Sequence, residues 1–212
     1  MKLNYSESSL VIIGSWNPSI VNPPWIGTHL IEATDFDNQS IKMDLVGNNT
    51  LSIRDASISA SFDGIKIILI GNRLEFRLEM GDDFNLLEKY ALKTFRLLPN
   101  TFVTGYGINF HFYDERINET ILNTIDTKIF SDLNMQLITQ QSNLGFNLDD
   151  MVMNISTNID KQNNASGVGF NFHFNIDRLS IFESLLSQHS MFNLKERAIN
   201  VLSDVYGLKV EV

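Results

Sequence analysis

Four histidines occur in the 212 residues, and two of them stand inside a repeat. The segment Gly105-Tyr106-Gly107-Ile108-Asn109-Phe110-His111-Phe112 is echoed by Gly167-Val168-Gly169-Phe170-Asn171-Phe172-His173-Phe174. An imidazole can bind a metal or move a proton near neutral pH. Opposed residues on paired strands have Cβ atoms about 5 Å apart, so neighbouring strands would let His111 and His173 meet. Zinc, however, asks for three or four protein ligands. No HExxH, no HxH and no carboxylate at fixed spacing completes such a set. No serine sits in a GxSxG turn that either histidine could activate. The two Gly-x-Gly fragments lack a third glycine and lead into strands, so they do not cradle a nucleotide. Asp82-Asp83 and Asp149-Asp150 fall at turns or helix starts, where carboxylates favour free N–H groups. The expectation is therefore no catalytic residue, no metal and no cofactor.

Alternation across the repeat sends Ile108, Phe110, Phe112, Phe170, Phe172 and Phe174 to one apolar face. The other face then shows Asn109, His111, Asn171 and His173, joined by Asn154, Ser156 and Asn158 of an adjoining strand. A face meant only for water usually carries Lys and Glu, as the alternating Arg73, Glu75, Arg77 and Glu79 do. A polar face with few charges suits a surface that is covered part of the time. A second candidate surface is the stretch Trp16-Asn17-Pro18 through Pro23-Pro24-Trp25. Its prolines remove backbone donors and predict an ordered loop without helix. Tryptophan is enriched at binding hot spots, and a stiff loop presents it at little entropic cost. Trp16, Asn17, Pro18, Pro23, Pro24 and Trp25 are thus expected at an interface, together with Asn109, His111, Asn171 and His173.

The elements that carry these residues are legible from period. Ile65–Ile70 and Arg73–Met80, split by Gly71-Asn72, read as a hairpin. Phe84, Leu87, Ala91, Phe95 and Leu98 form a helical stripe, with Asp82 or Asp83 as N-cap and Pro99 as the stop. On its far side Lys89, Lys93 and Arg96 read as a solvated face. Leu51 and Ile53 alternate loosely, and Ile117, Ile121, Ile125 and Ile129 give a weaker helical signal. Met135–Ile138 looks extended. Met151, Met153, Ile155, Thr157 and Ile159 share one face of a strand. Leu179–Val205 is helical in two pieces, with capping boxes at Ser180/Glu183 and Asn193/Glu196. Gly207 reads as the stop, and Lys209–Val212 as a further edge strand. Runs of strands broken by a few helices give an α+β class. The expected architecture is a largely antiparallel sheet with helices packed on one face, containing a duplicated strand–helix unit, in a single domain spanning 1–212.

Sixteen Lys and Arg against 25 Asp and Glu leave a net charge of −9. Backbone-directed nucleic-acid binding draws its affinity from neutralised phosphates, so direct nucleic-acid binding is not expected. With no cysteine, disulfides, iron–sulfur clusters and thiol nucleophiles are excluded. The first apolar run, Leu10 to Ile13, is too short for a signal peptide. No run approaches the roughly 20 residues that cross a bilayer. These features point to a soluble cytoplasmic protein with no membrane partner.

The string Gly14-Ser15-Trp16-Asn17-Pro18-Ser19-Ile20, followed by Pro23-Pro24-Trp25, is joined later by Leu98-Pro99-Asn100-Thr101, Gly107-Ile108-Asn109 and His111-Phe112. Together they resemble a scattered bacterial family with a GxWNPxIxxPxW-like start and an LPxT…GIN…HF-like strand. The resemblance implies a bacterial cytosolic origin and no particular activity. The functional expectation is a non-catalytic protein-interaction module, an accessory or structural subunit of a bacterial cytosolic assembly, with defence as one setting, binding a protein partner or itself. The alternative is a small-molecule enzyme or sensor with a pocket between the Trp/Pro loop and the histidine-bearing strands.

Overall fold

The computed structural model describes residues 1–32, 41–42, 57–62, 64–124 and 137–211. The loose alternation at Leu51 and Ile53, the isoleucine repeat at Ile125 and Ile129, and Met135 lie outside the described residues.

Gly71, in the left-handed region (φ 57°), closes the expected hairpin between β5 (Ile65–Ile70) and β6 (Arg73–Leu78). Ile65, Ile67, Leu69, Leu74, Phe76 and Leu78 all point inward, as strict alternation requires. The hairpin belongs to a ten-stranded sheet whose order is β3-β4-β5-β6-β2-β7-β10-β9-β8, with β1 also beside β7. The other strands are β1 (Lys2–Leu3), β2 (Ser9–Gly14), β3 (Ile41–Lys42), β4 (Ser57–Phe62), β7 (Val103–Asp114), β8 (Thr139–Asn147), β9 (Val152–Asp160) and β10 (Ala165–Asn175). Every pairing between these strands is antiparallel. Lys2 and Glu211 add a single parallel bridge, and Met1 exchanges backbone hydrogen bonds with Lys209 and Glu211, so among the described residues the tail after Gly207 joins the N-terminus by a bridge rather than as the expected edge strand.

The helices cover one face. The first, α1 (Pro23–Trp25), belongs to the Trp/Pro stretch described below. Helix α2 (Phe84–Leu97) starts where Asp83 accepts a hydrogen bond from the Asn85 amide, and it buries Phe84, Leu87, Ala91 and Phe95. Phe84 meets Phe110 edge-on at 5.6 Å, and Phe95 stacks on Phe182 at 4.6 Å. Phe182 lies on α4 (Leu179–Gln188) and stands edge-on to Tyr106 of β7. Each such ring, fully buried, stabilises the fold by about 1.5–3 kcal/mol. On α2's outer side Lys93 pairs with Glu32 at 2.7 Å and Arg96 with Glu183 at 2.9 Å, so this basic stripe is largely neutralised.

The C-terminal helix breaks at His189 and Ser190 into α4 and α5 (Met191–Tyr206). The capping boxes are not used. Ser190 caps α5 by accepting from the Asn193 amide, and Glu88 of α2 accepts from the Met191 amide. With the first donors of α5 satisfied from outside, Asn193 is left inside the helix. Helix α4 begins after Arg178 with no side-chain cap, so Ser180 is helical as well. Gly207 ends α5 in the left-handed conformation. Strand β10 leads into the ten-residue α4, whereas β7 leads into the four-residue α3 (Glu119–Leu122). Among the described residues the repeated unit is thus strand followed by helix in both copies, with the longer helix in the second.

Candidate functional site

The two copies of the repeat lie side by side, and their register makes them complementary. Strands β7 and β10 pair antiparallel with Asn109 opposite Asn171, His111 opposite Gly169 and Gly107 opposite His173. The sequence repeat maps Asn109 onto Asn171, so the two equivalent residues meet at a local pseudo-two-fold. The imidazoles extend in opposite directions from it. An added Cβ on Gly105 would lie 2.9 Å from Cε1 of His173, and one on Gly167 would lie 3.3 Å from Nε2 of His111. Each copy's first glycine therefore makes the room that the other copy's histidine occupies.

This register keeps the histidines apart. Four positions separate them along the ladder, roughly 13 Å at about 3.4 Å per residue. The shared metal site that neighbouring strands would have allowed is not formed. Among the described residues no group of three or more His, Cys, Asp or Glu is placed to hold a metal.

The asparagines form a chain of hydrogen bonds across four strands. Asn154 Nδ2 donates to Asn171 Oδ1 at 3.0 Å, Asn171 Nδ2 donates to Asn109 Oδ1 at 2.8 Å, and Asn109 Nδ2 donates to Ser9 Oγ at 3.0 Å. All three amides point the same way, from β9 toward β2. Beside this row, Glu7 Oε2 lies 2.9 Å from Nδ1 of His111, and Arg77 projects from β6 opposite Ser9. Glu7, Arg77, Asn109, His111, Asn154 and Ser156 border an open depression of about 510 Å³. Aligned amides, an imidazole, one carboxylate and one guanidinium can recognise polar groups by hydrogen bonding.

The sheet face is not uniformly wet. Glu75, expected on a solvated side, is only 3% exposed and lies between Arg73 and Arg77, pairing with both. Ser9 and Val11 are also buried on this side. A carboxylate held by two guanidiniums can be buried where a lone one could not. The groups driven far from their ordinary titration lie on the helix side instead. Burial raises Tyr106 well above the usual phenol range, helped by the charges of Asp150 and Glu88.

The Trp/Pro stretch differs from the expected loop. Pro23 and Pro24 occupy the first two positions of α1, where a missing N–H costs nothing. Asn22 caps it by accepting from the Trp25 amide at 2.9 Å. The chain then continues as a π-helical turn, Ile26–Ile31. Trp16 is 6% exposed, donates from Nε1 to the Ile12 carbonyl at 3.2 Å and meets Phe95 edge-on. Pro23 is buried, Asn17 and Pro24 are exposed, and Pro18 and Trp25 are half-buried. Trp25 lies beside His29. Trp16 and Asn17, with Ile20, Leu97 and Phe102, line a second depression of about 470 Å³. It shares no residue with the first, so the structure does not bring the Trp/Pro stretch and the histidine strands to one pocket.

The sequence pattern reads Arg77 only as part of a solvated charged face and does not point to Glu7 or Ser9. Only the pairing of β2 between β6 and β7, contacts across some 65 to 100 residues of chain, brings them to the asparagine row. No helix among the described residues is long and apolar enough to cross a membrane. No protein-family model, curated protein or solved structure matches this chain.

Proposed function

We propose that this chain is a non-catalytic protein-interaction module, an accessory or structural subunit of a cytoplasmic assembly, and that it reads its partner with the amide row of the open sheet face. The observation that carries this reading is the continuous chain Asn154–Asn171–Asn109–Ser9. Such a row is ordered before binding, so little side-chain entropy is lost when a partner covers it. Glycines at 105, 107, 167 and 169 make room for the polar side chains that lie across them, His173, Asn171, His111 and Ser156. The bacterial origin that the family resemblance implies belongs to the same proposal, as does a defence setting.

Affinity purification of the tagged chain from its host tests the reading. Asn154 is exposed, so Asn154→Arg leaves the fold intact while placing a bulky charge at the end of the row. A partner recovered in fixed ratio with the unmodified chain is expected to disappear with the variant. Recovery of the same partner at the same ratio refutes the reading. A small polar ligand is the second reading, favoured by Glu7, His111 and Arg77 bordering one depression. It is distinguished by a ligand that survives purification and is seen by mass measurement of the native chain.

A further inference from the structure

We infer that β8, the terminal strand of the sheet, pairs with β8 of a second copy of this chain to form an antiparallel two-fold dimer. Among the described residues the strand ends the sheet order, and it spans nine residues, Thr139–Asn147, with neither a charge nor a proline. Edge strands usually carry such residues to prevent pairing with another chain, so their absence here is informative. The chain carries −9 overall, which opposes self-association elsewhere. At this edge two copies meet without opposing like charges.

Backbone direction fixes which groups are free. The Leu148 amide donates to the Met151 carbonyl, and the Lys161 amide donates to the Ile138 carbonyl. Even-numbered residues of β8 therefore face β9, and Gln141, Asn143, Gly145 and Asn147 turn their N–H and C=O groups outward. An antiparallel partner must pair these odd positions with odd positions. A two-fold at Gly145 does so, with Gly145 opposite Gly145 and Asn143 opposite Asn147 of the second copy. Leu144 and Phe146, 49% and 41% exposed, then fall opposite one another as non-hydrogen-bonded pairs, where side chains come closest. Four exposed apolar side chains become one cluster on the helix side of the continuous sheet. Leu144 and Phe146 lie on the helix side and the amide row on the other face, so substitutions at 144 and 146 test the pairing without altering the row.

Sedimentation velocity of the full chain over a range of concentrations tests the inference. The unmodified chain is expected to dimerise, and more tightly at high salt, where screening weakens the general repulsion. Leu144→Lys and Phe146→Glu are each expected to weaken the dimer by about tenfold or more, because a charge enters an apolar cluster. Mixing the two variants should restore association, since position 144 of one copy faces position 146 of the other. Circular dichroism confirms that each variant is folded. A chain that stays monomeric at every concentration overturns the inference, and so does a dimer that neither substitution weakens or a mixture that shows no recovery.

Discussion

Asn171 donates from Nδ2 to Oδ1 of Asn109 at 2.8 Å, and the two residues are equivalent positions of the internal repeat meeting at its pseudo-two-fold. Two identical amides related by such an axis cannot both donate and accept in the same way. The pair must choose a direction, and that direction propagates: Asn109 donates to Ser9, and Asn154 donates to the oxygen of Asn171. A local two-fold in the backbone thus becomes a polar row with one donor-rich end and one acceptor-rich end.

Breaking this row at its centre should be felt on both sides. Asn171→Leu leaves the amide of Asn154 and the oxygen of Asn109 unpaired. The expected loss is about 1 kcal/mol, because the half-buried Asn109 oxygen loses its partner while the exposed Asn154 amide turns to water. Asn158→Leu, at an exposed position of the same face, is the control and should cost less than about 0.5 kcal/mol. Urea unfolding midpoints of the two variants decide it. Equal effects would mean that the row contributes nothing to stability.

The glycines opposite the polar side chains lead to a compensation experiment. A Cβ on Gly169 would lie 2.5 Å from Oγ of Ser156, while Cβ of Ser156 would be 3.9 Å away. Gly169→Ala alone is expected to cost about 1–3 kcal/mol through overpacking. Adding Ser156→Ala removes the clashing oxygen, so the double variant should be more stable than Gly169→Ala. The same double change should fail to add, with a coupling of about 0.5–3 kcal/mol between the sites. Gly105→Ala lacks this remedy, because the Phe174 carbonyl also lies 2.9 Å away.

Period and turn chemistry made much of this legible. The hairpin around Gly71, the stripe of α2 with its Asp83 cap, and the inward phenylalanines of β7 and β10 are local patterns, and the structure has them. What failed was local competition between equal signals. Ser190 and Asn193 both suit an N-cap, and only Glu88, from a distant helix, settles which is used by taking the Met191 amide. Pro23 and Pro24 signal a break or a helix start with the same letters, and Asn22 decides for the start. The site was half legible. Asn109, His111, Asn171 and His173 follow from the repeat, but Ser9, Glu7 and Arg77 join them only through strand order, which no local pattern encodes.

Core truncation tests the alternation directly. Phe172 is fully buried and meets Phe110 edge-on at 6.2 Å. Phe172→Ala should cost about 3–5 kcal/mol. An unchanged melting temperature would place this ring outside the core.

The two tryptophans should separate in solution. Trp16→Ala removes a core ring and its hydrogen bond to Ile12, so a loss of about 3–5 kcal/mol is expected. Trp25 is half-buried at the head of a proline-started helix and should be the indole that a soluble quencher reaches in the isolated chain. Trp25→Ala is expected to leave the melting temperature nearly unchanged while weakening partner binding by about 2 kcal/mol or more. Fluorescence quenching of the single-tryptophan variants checks the first statement and calorimetric titration of the partner the second. If Trp25 resists quenching and its removal unfolds the chain, the partner must be sought on the amide row alone.

Glu88 gives the fold a pH dependence whose sign can be worked out. Burial pushes its carboxyl above the ordinary carboxylate range; the Met191 amide opposes the shift and the charge of Asp83 adds to it. A folded value above the unfolded one means that the folded chain binds this proton more tightly. The resulting stability is present in full below the unfolded value of about 4.3 and is lost as pH rises through the folded one. Glu88→Gln keeps an oxygen to accept from Met191 but cannot ionise. The variant should match the unmodified chain near about pH 4, where Glu88 is protonated, and exceed it in stability near about pH 7. Urea unfolding at the two pH values measures the difference. If the glutamine variant is less stable at the higher pH, the hydrogen bond from Met191 to a charged carboxylate outweighs the cost of burying it, and Glu88 acts chiefly as a cap donated by α2 to α5.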